Sequence, residues 1–130
     1  MRVAYICHPI GGDVQGNLAK IRRIVRIINM QGSIYVPSVP YYADCVSMND
    51  DDPDERARGF ENNKIYFDRK FMDELWVFTE KISQGMNDEI GWAMEKGIEI
   101  KKATLVEGER ASIIISKFEV PVKKEIPVAH

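Results

Sequence analysis

The chain has few of the residues that betray a chemistry at a glance. Of its 130 residues only two are cysteines, Cys7 and Cys45, in separate segments and without the paired spacing of a zinc site. A reduced, cytoplasmic protein is the expectation. Lys and Arg nearly balance Asp and Glu, leaving a formal charge of -2, so no basic field draws the chain to polymeric nucleic acid or to an anionic membrane. No apolar run approaches a membrane span or a signal-peptide core. Gly-x-Gly-x-x-Gly and the P-loop Gly-Lys-Ser/Thr are both missing, no Cys/His cluster suggests a metal, and "NDDDPDE" lacks the glycine and distal glutamate of a calcium loop. No metal and no organic cofactor is expected.

What remains is globular composition, 45% hydrophobic and 29% charged, in a length that suits one domain over residues 1–130. Val3 to Cys7 lack polar alternation and read as a strand covered on both faces. After "HPIGGDVQG", the apolar positions Leu18, Ile21, Ile24, Val25 and Ile28 mark one face of a helix, with Gly16 or Asn17 as its cap and Gly32 as its end. "SIYVPS" reads as a second strand stopped by Pro37, and residues 38–52 as a long polar loop. Pro53 suits a first helical turn. A third strand is expected at 73–78, a helix from about Asn87 to Lys96 closed by Gly97, and a fourth strand in "IEIKKATLV".

Strands alternating with helices in this way predict a three-layer, doubly wound α/β sheet, mostly parallel and flavodoxin- or Rossmann-like. The α/β unit should occupy about 1–110, followed by a short extended addition over about 111–130 whose apolar residues need a sheet edge or a second subunit to cover them. A homo-oligomer is expected. Ligands of such sheets bind beyond the carboxyl ends of the strands. The turn-rich segments 8–16, 38–52 and 79–86 should gather there.

Two constellations fall at that edge. In "CHPIGGDVQGN" a strand runs through glycines into a helix, a geometry that lets backbone N–H groups approach a phosphate or sugar hydroxyl, although such turns are as often plain chain reversals. In "SQGMNDEIGWA" Ile90, Ala93 and Met94 face inward, while Asp88 and Glu89 sit near a helix start, where a carboxylate is stabilised by the dipole whether or not it does chemistry. Arg56 and Arg58 either reach a ligand phosphate or pair with the acidic run before them. Tyr41 and Tyr42 either stack on a base or pack. Trp76 and Trp92 are assigned to the core.

Taken together, "AYICHPIGG" and "DELWVF...ISQGMNDEIGWA" resemble the nucleoside 2-deoxyribosyltransferase superfamily, which includes nucleotide N-glycosidases and small phage and bacterial relatives of unassigned role. Cys7, Ile10, Gly11 and Gly12 follow the opening Cys-Gly-Ser-Ile-x-Gly-Gly turn of the N-glycosidase branch, one residue shorter before the glycines and with His8 and Pro9 in place of its small pair. Ser83, Gly85, Glu89, Gly91 and Ala93 match Ser-x-Gly-x-Gly-x-Glu-Leu-Gly-x-Ala, with Asn87 for the middle glycine and Ile90 for leucine. Asp73 stands where the family's strand begins with aspartate. The similarity covers roughly residues 3–102.

The resemblance implies cleavage or transfer of the N-glycosidic bond of a nucleoside or nucleotide, with Glu89 as the nucleophile that forms a glycosyl ester. Ser83, Gly85 and the turn through Met86 and Asn87 would hold a 5'-phosphate, and Cys7, His8, Pro9, Ile10, Gly11 and Gly12 would shape the sugar pocket. The family also carries an aspartate that helps the base leave. Its spacing from Glu89 lands at Asn63 to Ile65, and the nearest acid is Asp68, one helical turn on. Asp68 is therefore the candidate acid, with Asn62 or Asn63 as a base reader if that acid is missing. Two rivals stand beside the enzyme: a binding protein that sequesters or senses a nucleotide-derived signal, and a hydrolase of an NAD-related nucleotide.

Overall fold

The computed structural model describes residues 1–32 and 34–119. Its elements are β1 (Arg2–Cys7), α1 (Val14–Met30), β2 (Tyr35–Ser38), α2 (Tyr42–Ser47), α3 (Pro53–Asp68), β3 (Glu74–Val77), α4 (Gln84–Glu95), β4 (Glu99–Val106) and β5 (Ser112–Lys117). The five strands lie in the order β2-β1-β3-β4-β5. The first four are parallel, and β5 returns antiparallel along β4. This is the expected α/β sheet, with the expected extended addition paired onto its edge over 112–117; the remainder of that addition, from residue 120, lies outside the described residues.

Period-two alternation in β1 builds the layers. Ala4 and Ile6 pack with Ile24 and Ile28 of α1 and with Trp76 and Ala103. Tyr5 and Cys7 point the other way, into a cluster with Phe67 of α3, Leu75 and Val77 of β3, and Met86, Ile90 and Ala93 of α4. β3 is buried throughout and β1 from Ala4 to Cys7, as parallel strands covered on both faces must be.

Local chemistry fixes the helix ends, in places differently from expectation. Asp13, not Gly16 or Asn17, caps α1 by accepting from the Gly16 N–H, and Asn17 turns back to donate to the carbonyls of Ile10 and Gly11. α3 starts with Pro53 behind Asp52, which accepts from the N–H groups of Asp54 and Glu55. α4 begins three residues before the expected Asn87 because Ser83 accepts from the Met86 N–H. It ends on Gly97, at φ +69, whose N–H bonds to Met94 while that of Ile98 bonds to Ala93.

Two other expectations are corrected. Pro37 does not stop β2 but lies within it, paired with Ala4; β2 is an edge strand, so a missing N–H is tolerated there. The loop over 38–52 contains α2. Asp73 acts as a backbone clip: its N–H donates to the Val3 carbonyl and its carboxylate accepts from the Val3 N–H. Among the described residues no helix is long and apolar enough to cross a membrane.

At the amino end of the strands, Glu74 is fully buried. It accepts from Arg2 and Lys101 at 2.7 Å each and from the Trp76 indole at 3.2 Å. Burial alone would raise its carboxyl, but the hydrogen bonds from Lys101, Arg2, Trp76 and Tyr35 outweigh that and hold it at about 2.

Candidate active site

The chain order reverses direction across the sheet between β1 and β3, because β2 lies on one side of β1 and β3 on the other. The crevice beyond the carboxyl ends of those two strands is where a doubly wound sheet holds its ligand. Three segments reach it: the loop after β1, the segment holding α2, and the first turns of α4.

Glu89 lies at the foot of this crevice. As the sixth residue of α4 it sits on the face that also carries Met86, Ile90 and Ala93, and it is buried to 8% exposure. Two elements supply its partners. From β1, the Tyr5 hydroxyl donates to Oε2 and the Cys7 thiol donates to Oε1 across 3.8 Å. From α3, the Asn63 amide donates to Oε2 at 3.1 Å. The Asn63 oxygen in turn lies 3.0 Å from the Tyr5 hydroxyl.

Counting protons shows what this triangle can do. Tyr5 has one hydroxyl proton and two acceptors within reach. When Glu89 is ionised, Tyr5 donates to it; when Glu89 is protonated, the carboxyl can donate to Tyr5, freeing the Tyr5 proton for Asn63. Both charge states find partners. Burial raises the Glu89 carboxyl to about 7, against the opposing hydrogen bonds of Tyr5, Asn63 and Cys7 and with a small push from Asp88. A carboxyl poised near neutrality, in a cavity, fits a reacting group better than a merely structural one.

The cavity over Glu89 encloses about 130 Å³ and is lined by His8, Ile10, Tyr41, Cys45, Phe60, Asn63, Gly85 and Trp92. Phe60 and Trp92 meet edge to face at 5.0 Å between ring centres, giving it an aromatic wall. Tyr41 donates to the Ile6 carbonyl at 2.6 Å and stacks obliquely on Tyr5. His8 is buried, and its Nδ1 lies 2.8 Å from the Pro9 carbonyl. A carbonyl can only accept, so Nδ1 carries the proton. Burial, with the nearby Lys20 charge, lowers the imidazole below its usual range despite that bond.

A second cavity of about 240 Å³ adjoins the first, sharing Ile10, Tyr41, Cys45, Phe60 and Asn63 with it. Its outer wall holds Asp44, Asp50, Glu55 and Arg56. Asn62 donates to Asp44 at 3.4 Å, and Arg56 is taken up by Asp50 through its carboxylate at 3.6 Å and its carbonyl at 3.1 Å.

The structure therefore gathers Glu89, Cys7, His8, Ile10, Tyr41, Asn63 and Gly85. Gly11 and Gly12 are exposed in the loop beside them, Gly12 at φ +88. Other expected contacts go elsewhere. Asp68 ends α3, half exposed and 3.9 Å from Lys96, and does not enter the cavity; Asn63, about a turn and a half earlier, occupies the place beside Glu89. The Met86 side chain is buried in the core, while Asn87 and Arg58 are exposed and line neither cavity. The Ser83 hydroxyl is engaged as the α4 cap. Tyr42 accepts from Arg22.

Sequence reasoning missed Tyr5, Cys45, Phe60 and Trp92 as site residues. Two of these had a signal. Tyr5 shares a strand face with Cys7, and Trp92 follows Glu89 by three residues on the helix. Trp92 packs against the rim of the core, on Phe67, and half-buried there it also forms part of the cavity wall.

No curated protein sequence matches this chain. Among solved structures, a 2-desoxiribosyltransferase from Leishmania mexicana superposes with a TM-score of 0.51 at 13% identity, over 88% of this chain and 79% of that one. That likeness establishes a shared Rossmann-like fold. A family model described as a domain of unknown function (DUF7768) matches residues 2–103. The match runs from β1 into β4 and includes every residue named in the Glu89 crevice, and the chain belongs to that family.

Proposed function

We propose that this protein cleaves or transfers the N-glycosidic bond of a nucleoside or nucleotide, with Glu89 as nucleophile. The observation that carries this reading is the buried Glu89 carboxyl, held by Tyr5, Asn63 and Cys7 at the foot of an aromatic-walled cavity at the point where the sheet reverses. The structural neighbour is a 2-desoxiribosyltransferase, which supports it at the level of fold.

In this mechanism Phe60, Trp92 and Tyr41 sandwich the flat base. The Glu89 oxygen attacks the anomeric carbon, and the carbon–nitrogen bond breaks through an oxocarbenium-like state that the carboxylate stabilises. Tyr5, Cys7 and Asn63 hold the carboxylate in its attacking orientation, and water or a second base then releases the sugar. Gly85 and the first turn of α4 stand where a 5'-phosphate would meet free N–H groups. The exposed Ile114 and Ile115 of β5 support a second copy covering that edge.

The test is incubation of the purified protein with deoxynucleosides, ribonucleosides, their monophosphates and NAD-type nucleotides, following free base by chromatography. Base release that falls at least a thousandfold in Glu89→Gln is the expected result. Intact recovery of every ligand despite tight binding would instead establish the rival, a nucleotide-sequestering protein. Asn63, in place of an acid beside Glu89, is the observation that favours that rival.

A further inference from the structure

We infer that the N-glycosides this site acts on are those whose base already carries positive charge, such as a pyridinium or N-alkylated purine nucleoside. The inference rests on the reading of Glu89 as nucleophile, and two features of the crevice carry it.

The first is the lack of a proton donor for the departing base. A neutral purine or pyrimidine leaves as an anion unless it is protonated, and that assistance is a large part of the catalysis. Among the described residues lining the Glu89 cavity there is no second carboxyl. Asn63 is an amide that cannot supply a proton, and burial with the nearby Asp50 and Asp44 charges raises the Cys45 thiol, leaving it a poor acid. The Tyr41 hydroxyl is committed to the Ile6 carbonyl, and the one proton of the buried, neutral His8 ring to Pro9. Glu89 cannot be both nucleophile and acid for the same bond. A cationic base needs no donor. As Glu89 Oε bonds to the anomeric carbon, the electron pair of the carbon–nitrogen bond passes to the ring nitrogen, cancels its positive charge and releases a neutral base. Water then attacks the anomeric carbon of the ester, returning the Glu89 carboxylate and one proton to solvent.

The second feature is the charge around the path to Glu89. The adjoining cavity presents Asp44, Asp50 and Glu55 against a single guanidinium, Arg56, already engaged by Asp50. Phe60 borders both cavities and Trp92 the inner one, and aromatic faces attract a flat cation. Carboxylates outside and aromatic rings inside favour a cationic ring and disfavour an anionic one.

The test uses matched pairs: 7-methylguanosine against guanosine, which differ by one methyl group and one charge, and nicotinamide riboside against adenosine, each as riboside and 2'-deoxyriboside. Base release is followed by chromatography at pH 7.5, with Glu89→Gln as the blank for uncatalysed loss. Glu89-dependent kcat/KM is expected to be at least a hundredfold higher for each cationic member, and Asp44→Asn is expected to narrow that ratio at least threefold by raising KM. Glu89-dependent release from guanosine or adenosine at a rate equal to that of the cationic partner overturns the inference and leaves the proposed function standing. A ratio unmoved in a folded Asp44→Asn protein overturns the role of the acidic wall. Absence of Glu89-dependent release from every compound overturns the inference together with the function it rests on.

Discussion

Tyr5 of β1 and Glu89 of α4, 84 positions apart in the chain, share a buried hydrogen bond that orients the carboxylate toward the crevice. Its strength depends on the charge of Glu89, so it links the stability of the fold to the state of the proposed nucleophile.

The first consequence concerns pH and stability. Glu89 is raised from 4.5 to about 7 in the folded protein, so between those values the native state binds more protons than the unfolded chain and stability falls as pH rises. Below about pH 4.5 the group is neutral in both states and imposes no cost; above pH 7 the cost is complete, on the order of 3 kcal/mol. Glu89→Gln should therefore be more stable than the parent at pH 8 and no more stable at pH 4.5. Urea titrations at the two pH values measure the difference.

Tyr5→Phe removes a hydrogen bond that lowers the Glu89 carboxyl. The carboxyl should rise further, moving the ascending limb of the kcat/KM profile to higher pH and slowing base release at pH 7. A profile that stays in place or moves to lower pH contradicts the assignment of Tyr5 as a positioning residue.

Trp92→Ala strips one side of the aromatic wall and deletes ring contacts with Phe60 at 5.0 Å and Phe67 at 5.3 Å. A stability loss of about 2 kcal/mol is expected for a half-buried ring. KM should rise about tenfold through the lost base stacking, and Trp92→Phe should recover most of both. Denaturant midpoints and initial rates separate the two effects.

Glu74 titrates in the opposite sense. Held at about 2 rather than 4.5, it contributes stability that is complete above about pH 4.5 and is lost as pH falls through 2. Glu74→Gln should be less stable than the parent at pH 7, by on the order of 3 kcal/mol, with the gap closing toward pH 2. Thermal melts across that range test it; at the far end of the strands from Glu89, the change should leave KM within twofold.

Ser83→Ala deletes the α4 cap, at a cost of about 1 kcal/mol. If Ser83 also meets a phosphate, the variant should lose affinity for monophosphates over nucleosides. Equal losses for the two ligand types confine the hydroxyl to capping.

The sequence by itself determined the alternation of strands and helices, the reversal of strand order it implies, and several element ends. Each is a local matter: apolar spacing sets the faces, Pro53 fits a helix start, and Gly97 adopts the left-handed backbone that stops α4. It also placed Glu89 near the start of a helix at the ligand edge. What that carboxyl touches was decided only by tertiary structure. Which residue of α3 stands beside it depends on the axial offset between two packed helices, and the structure selects Asn63 over Asp68. Tyr5, Phe60 and Trp92 become one wall only when strand and helix faces meet. The near-neutral titration of Glu89 arises from water excluded by that packing, a quantity that no stretch of chain possesses before it folds.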